Sequence, residues 1–100
     1  MRDELGKENI IITKSYDFAL RIIHLARKLR KQRDYELARQ LLRAGTSIGA
    51  NIEEARAGTS RADFGAKMSI ASKEAREVYY WLRLLRDSQS LPVDELNSII

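Results

Sequence analysis

The chain has 100 residues, 44% of them hydrophobic and 32% charged, with a net charge of +4 and no cysteine. This composition allows one domain with one core and argues against global disorder, and the lack of cysteine excludes disulfides and thiolate chemistry. No apolar run approaches the ~20 residues that span a bilayer, and the N-terminus lacks the pattern of a secretory signal. We therefore expect a single soluble, cytoplasmic domain over residues 1–100, with no membrane association.

Helical periodicity begins after the N-terminal segment. Residues 1–12 are expected to form an arm, in which Ile10, Ile11 and Ile12 pack against the bundle or a neighbouring subunit. Helix 1 is predicted over about 13–31, because its apolar residues recur every three or four positions. The apolar row consists of Phe18, Ile22, Leu25 and Leu29.

Helices 2 and 3 show the same spacing of apolar positions. Helix 2 is predicted over about 35–57, with Asp34 as its N-cap, and helix 3 over about 61–87, with Ser60 as the start of a capping box. The core row of helix 2 is Leu37, Leu41, Ala44, Ile48, Asn51 and Ala55. That of helix 3 is Phe64, Met68, Ala71, Ala75, Val78, Leu82 and Leu85. This repeat is typical of helices that pack in bundles.

The fourth helix is predicted to be short. Pro92 suits a first helical position, so the helix should run over about 92–100. Short turns between amphipathic helices predict an all-α, antiparallel up-down four-helix bundle. At ~1.5 Å per residue, a helix of about 13 Å cannot cover the groove beside helix 3, which should be about 40 Å long. Either the chain has lost a C-terminal piece, or a partner fills the groove.

Helix 2 contains residues that an exposed helix would avoid. Gly45 and Gly49 are four positions apart, on one face, and each costs about 1 kcal/mol relative to alanine. Such glycines predict the close approach of another backbone. Asn51 falls on the core row, where a buried amide commonly sets helix register or oligomeric state. All three residues are expected to be structural, and the small-residue face suggests that helix 2 lies between two neighbours.

Residues for catalysis or metal binding do not assemble in this sequence. Glu53, Glu54, Glu74 and Glu77 resemble the carboxylates of a di-metal bundle, but His24 is the single histidine and no Glu-x-x-His occurs. Phosphate-binding glycine motifs are also missing. We therefore expect no enzyme, no cofactor and no metal site.

Basic residues are concentrated in one segment. Residues 21–43 carry +6, from eight basic and two acidic residues. The eight are Arg21, Arg27, Lys28, Arg30, Lys31, Arg33, Arg39 and Arg43. Such a field favours polyanions or acidic proteins. A basic surface that contacts only solvent, at the turn between two helices, would give the same charge pattern in the sequence.

A second candidate surface lies on helix 3. Tyr80 is predicted to face away from the core, and the cations Lys73, Arg76 and Arg83 project to the same side. A ring among cations suits base stacking with phosphate contacts. It equally suits a contact between subunits or plain exposure to solvent.

The sequence resembles a known family. The motifs are Lys14-Ser15-Tyr16-Asp17-Phe18-Ala19, the block from Leu42 to Ala55 with Ser47-Ile48 and Ala50-Asn51-Ile52-Glu53-Glu54, then Phe64 and the run to Trp81-Leu82. Over about residues 10–98 they are similar to the bacterial four-helix-bundle proteins encoded in intervening sequences of 23S rRNA genes. That family is related to the accessory variability determinant proteins of diversity-generating retroelements, which form pentamers that contact nucleic acid and a reverse transcriptase. The short fourth helix departs from the family, whose last helix is normally long.

The resemblance implies a homopentamer with a basic surface and no catalytic residues. Together with the two basic surfaces, it leads us to expect a non-enzymatic oligomer that binds RNA or DNA with little sequence specificity. The alternative is a scaffold that binds an acidic protein, such as a reverse transcriptase or another nucleic-acid enzyme, without touching nucleic acid.

Overall fold

The computed structural model describes the backbone of residues 2–58 and 60–99, and the side chains of residues 10–58 and 60–99. Within these ranges the chain is helical and contains no strand. The four helices are α1 (Arg2–Lys31), α2 (Tyr35–Arg56), α3 (Arg61–Asp87) and α4 (Val93–Asn97). The prediction of an all-α chain with a short fourth helix is confirmed.

Helix α1 starts far earlier than predicted. It runs without interruption from Arg2, so the expected arm over 1–12 is wrong for the described residues 2–12. Gly6 is the one weak helix former in this stretch, and a single glycine costs only about 1 kcal/mol. Ile11 and Ile12 line a small cavity together with Phe64 of α3.

Local signals set the ends of the helices. The Ser60 side chain accepts a hydrogen bond from the Asp63 amide (3.1 Å), which confirms the predicted cap of α3. Asp34 stands at the N-cap of α2, but its side chain makes no capping bond. Helix α1 ends at Lys31; two residues later Arg33 has a φ of 67°, and the Asp34 backbone amide donates to the Leu29 carbonyl (2.9 Å). This is the hydrogen bonding of a Schellman motif, here built without glycine.

The core is formed by the predicted rows of α1, α2 and α3. Its largest fully buried side chains are Ile22, Leu29, Leu41, Leu82, Leu85, Leu96 and Val78. Two predicted core positions on α3 differ, because Phe64 and Ala75 are exposed.

Helix α2 contacts both α1 and α3, as its two packing faces predicted. A Cβ added to Gly45 would lie 2.6 Å from Cγ2 of Ile22, and one added to Gly49 would lie 3.6 Å from the backbone oxygen of Ser15. The glycine face therefore packs on α1, against the Ile22 side chain at Gly45 and beside Ser15 at Gly49. The opposite side of α2 pairs with α3, where Lys67 contacts Glu54 at 2.7 Å.

The short helix α4 closes one end of the molecule. Leu96 is fully buried in the core, and Glu95 forms an ion pair with Lys28 at 2.5 Å. Just after the helix, Ser98 accepts hydrogen bonds from the Arg21 guanidinium at its carbonyl oxygen (3.2 Å) and its hydroxyl (2.6 Å). These contacts hold α4 and the residues after it against α1.

Candidate nucleic-acid interface

Five of the predicted cations form what we call the turn patch, at the connection between α1 and α2. They are Arg27, Arg30, Lys31, Arg33 and Arg39, and all are exposed. Arg30 and Arg39 line one open cleft of about 380 Å³ together with Tyr35. Basic residues are concentrated in the last turn of α1, where cations interact favourably with the negative end of the helix dipole.

The acidic residues nearest in sequence neutralise the turn patch only in part. Glu36 pairs with Arg39 at 2.5 Å, and it also accepts a hydrogen bond from the Gln40 amide at 3.1 Å. The hydrogen bond from Gln40, followed by the contact with Arg39, lowers the pKa of the Glu36 carboxyl below its ordinary value. Among the described residues, Arg27, Arg30, Lys31 and Arg33 have no ion-pair partner.

Three other predicted cations are engaged within the chain. Lys28 pairs with Glu95, and Arg21 donates to Ser98. Arg43 lies on α2 and contacts two α3 carboxylates, those of Glu77 and, at 3.4 Å, Glu74.

The Arg43 contact is part of a wider polar network. The indole Nε1 of Trp81 also donates to Glu77 (3.2 Å). Arg43 and its partners therefore hold α2 to α3, and Arg43 is less available to a ligand than the turn patch. Sequence reasoning missed these partners because they are remote along the chain.

The remaining predicted residues form the α3 patch, defined as Lys73, Arg76, Tyr80 and Arg83. All four are exposed, and Tyr80 is 49% accessible, as predicted. The Arg83 guanidinium lies 4.8 Å from the ring centre of Tyr79 and 5.9 Å from that of Tyr80. The spacing of four residues between Tyr79 and Arg83 was the available signal for this cation–π contact.

The aromatic side chains on α3 have a defined geometry. The rings of Tyr80 and Trp81 are 5.6 Å apart and meet edge to face at 64°. Tyr80 therefore keeps a partly open ring beside the Arg83 guanidinium, an arrangement that can accept a stacked base and a phosphate.

The predicted structural residues lie on the inner faces of α2. Asn51 is half-buried, and its side-chain amide donates to the Ser47 carbonyl one turn earlier (2.8 Å). Gly45 is buried and Gly49 half-buried. A role for Asn51 in assembly stays a prediction.

Metal-binding clusters and membrane-spanning helices are both absent from the described ranges. Their acidic residues and His24 do not gather into a group of three that could hold a metal ion. No helix within these ranges has the length and apolarity needed to cross a membrane.

Comparisons with known proteins agree with this fold. The chain is similar to the crystal structure of a protein of unknown function from the S23 ribosomal protein family of Bacteroides thetaiotaomicron VPI-5482. The two share 46% sequence identity and a TM-score of 0.89, over 93% of this chain and 84% of the other. No curated protein matches the chain. The profile of the 23S rRNA-intervening sequence protein family matches residues 7–100, and the chain belongs to that family.

Proposed function

We propose that this protein is a non-enzymatic nucleic-acid-binding protein that contacts RNA or DNA phosphates through the turn patch. The observation that carries the proposal is a group of four exposed cations near the α1–α2 connection that have no ion-pair partner among the described side chains: Arg27, Arg30, Lys31 and Arg33. Phosphate contacts of this kind supply affinity and little sequence specificity. A field of four charges on a short turn suits a polyanion better than a single carboxylate.

The α3 patch would add stacking to this binding. A base stacked on Tyr80 would lie beside the Arg83 guanidinium, which can reach the adjoining phosphate. Stacking of one base on an aromatic ring is worth about 1–3 kcal/mol, which corresponds to a five- to 150-fold change in affinity. This contact requires an unstacked base, so it favours single-stranded RNA over duplex DNA.

We also propose that the protein is cytoplasmic and forms a homo-oligomer, in which each subunit is an antiparallel up-down bundle. Two contacts between α2 and α3 support the antiparallel arrangement, because Arg43 meets Glu77 whereas the later residue Glu54 meets the earlier residue Lys67. The resemblance described above favours a pentamer. Light scattering of the protein with and without RNA tests the assembly.

Fluorescence anisotropy with labelled single-stranded RNA at ~50 mM salt and micromolar protein tests the proposed binding. The logarithm of the binding constant should fall with the logarithm of salt concentration by about 0.7 for each phosphate contact. Arg30→Gln should weaken binding and reduce this slope by about 0.7, because it removes one such contact. Arg61→Gln makes the same charge change at the start of α3 and should leave the slope unchanged.

The absence of nucleic-acid binding in this assay would refute the proposal directly. If neither single-stranded RNA nor duplex DNA binds under these conditions, the turn patch is not a nucleic-acid site. If polyglutamate binds as well as RNA, and with the same dependence on Arg30, the patch recognises acidic chains in general. That result would favour the scaffold that binds an acidic protein.

A further inference from the structure

The cleft beside the turn patch differs from the rest of that surface, because it combines cations with an aromatic ring and apolar side chains. It has a volume of about 380 Å³ and lies between the end of α1 and the first turns of α2. Four of its α2 residues stand at positions i, i+3, i+4 and i+7, so they share one face of that helix. The lining residues are Ala26, Arg30, Tyr35, Glu36, Ala38, Arg39 and Leu42.

Short side chains explain why there is space at this place. Ala26 and Ala38 are both 3% exposed and form the floor of the cleft, while the longer side chains of Arg30, Tyr35 and Leu42 are exposed and stand around it. Clefts that hold small organic ligands have volumes from about 300 Å³ upward. The space is therefore large enough for one flat ring system of the size of a nucleobase.

Tyr35 supplies an accessible aromatic ring to the cleft. It is the first residue of α2, and it is 59% exposed. Among the described residues, the ring and cation–π contacts involve Tyr79, Tyr80, Trp81 and Arg83, and none of them occupies the Tyr35 ring. An exposed ring beside apolar side chains is a surface on which an unstacked base can lie, because every base has a flat π-face.

The charges of the cleft argue against an occupant that is only an anion. Arg39 is paired with Glu36 at 2.5 Å, and the carboxylate would repel a second negative group placed in the cleft. Arg30 belongs to both the cleft and the turn patch, and it has no ion-pair partner among the described side chains. The arrangement therefore suits a neutral flat group whose attached phosphate meets Arg30.

We propose that the cleft holds one unpaired base of a single-stranded nucleic acid, stacked on Tyr35, while Arg30 contacts the adjoining phosphate. This inference rests on the proposed binding of nucleic acid at the turn patch, and it adds a site for a base to that surface. The turn patch then selects single strands by itself, because a base inside a duplex is paired and stacked and cannot enter the cleft. Stacking tolerates any base, so the site adds affinity with little sequence specificity.

A strand without bases tests the proposal. Anisotropy compares a labelled thymidine oligonucleotide with an abasic strand of the same length, which has the same phosphates. Stacking of one base on a ring changes affinity about five- to 150-fold, so Tyr35→Ala should weaken binding of the thymidine strand at least about fivefold. It should leave the affinity of the abasic strand unchanged. The salt slope of both strands should also stay the same, because Tyr35→Ala removes no phosphate contact.

Two further variants serve as controls. Tyr35→Phe keeps the ring and should bind the thymidine strand as tightly as the unchanged protein. Tyr16→Ala removes a tyrosine of α1 that is 63% exposed and does not line the cleft, and it should leave both affinities unchanged. Circular dichroism of each variant checks that the helices remain folded.

Several outcomes would overturn the proposal. If both strands bind equally well and depend equally on Arg30, the turn patch binds nucleic acid but the cleft holds no base. If the advantage of the thymidine strand persists in Tyr35→Ala and disappears in Tyr80→Ala, the base stacks on the α3 patch instead. If Tyr35→Phe binds as weakly as Tyr35→Ala, the contact depends on the hydroxyl group and not on stacking. If neither strand binds, the proposed function fails and this inference fails with it.

Discussion

Replacing Gly45 with alanine tests the close approach of α1 and α2. The added Cβ would lie 2.6 Å from Cγ2, 2.8 Å from Cγ1 and 3.0 Å from Cβ of Ile22. Ile22 is fully buried, and its β-branched side chain has few alternative rotamers in a helix. Because its own Cβ is among the close atoms, rotation of the side chain does not relieve the contact. One helix must therefore move away from the other.

The expected loss of stability follows from two opposing effects. Overpacking a close-packed core costs about 1–3 kcal/mol, and a contact that a side chain cannot relieve belongs near the upper end. Alanine recovers about 1 kcal/mol of helix propensity relative to glycine. The net loss for Gly45→Ala is therefore about 2 kcal/mol, or about 8–16 °C in Tm for a domain of this size.

Gly49→Ala is the matched control on the same face of α2. Its added Cβ would meet Oγ of Ser15 at 3.5 Å and the backbone oxygen of Ser15 at 3.6 Å, which are ordinary contacts. We expect this variant to gain about 1 kcal/mol from helix propensity alone. Thermal and urea unfolding by circular dichroism, at one protein concentration, measures both variants, since self-association would raise Tm with concentration.

The two glycines should therefore differ in the sign of their effect. If Gly45→Ala raises Tm as much as Gly49→Ala, α1 and α2 are not in the close contact described here. In an Ile22→Ala background most of the cost of Gly45→Ala should disappear, because Cγ1 and Cγ2, the two nearest atoms, are gone and only Cβ at 3.0 Å remains. An undiminished cost in this double variant would assign the destabilisation to another cause.

Two further predictions concern α2. Asn51→Leu should keep helicity but change the mass of the assembly measured by light scattering, since it removes a half-buried amide. An unchanged mass with a raised Tm would show that Asn51 sets neither the oligomeric state nor the helix register. Gln40→Ala should raise the pKa of Glu36 towards its ordinary value in an NMR titration, because the Gln40 hydrogen bond is the largest cause of the lowered pKa. With a folded-state pKa below the unfolded value, the stabilisation from Glu36 is complete above the unfolded pKa and is lost as the pH falls through the folded pKa. An unchanged pKa in Gln40→Ala would contradict this assignment.

The helices were predictable where local patterns and caps agree. Helix α3 occupies 61–87, the predicted range, because its apolar spacing and the Ser60 cap are both contained in nearby residues. Helix α1 was predicted too short at its start, since residues 2–12 lack a strong amphipathic pattern. Helix α4 ends at Asn97, where the prediction extended to 100, and Ser98 and Ile99 form a turn.

The sequence predicted which basic residues share a face, but it did not predict which of them remain available to a ligand. Tyr80 and the α3 cations share one face because helical spacing alone places them there. The availability of each cation was not predictable, because Lys28 and Arg43 meet carboxylates that lie 67 and 34 residues further along the chain. Such pairs depend on which helix faces lie next to each other.

The amino-acid sequence by itself determined the all-helical class, the basic turn between α1 and α2, and the glycine face of α2. These features follow from the repeat of the helix and from the conformational preferences of single residues. Tertiary structure alone decided that Gly45 packs on Ile22, that Leu96 of α4 is buried in the core, and which cations have no ion-pair partner among the described side chains. Those outcomes depend on the rotation and separation of whole helices, and no local pattern encodes them.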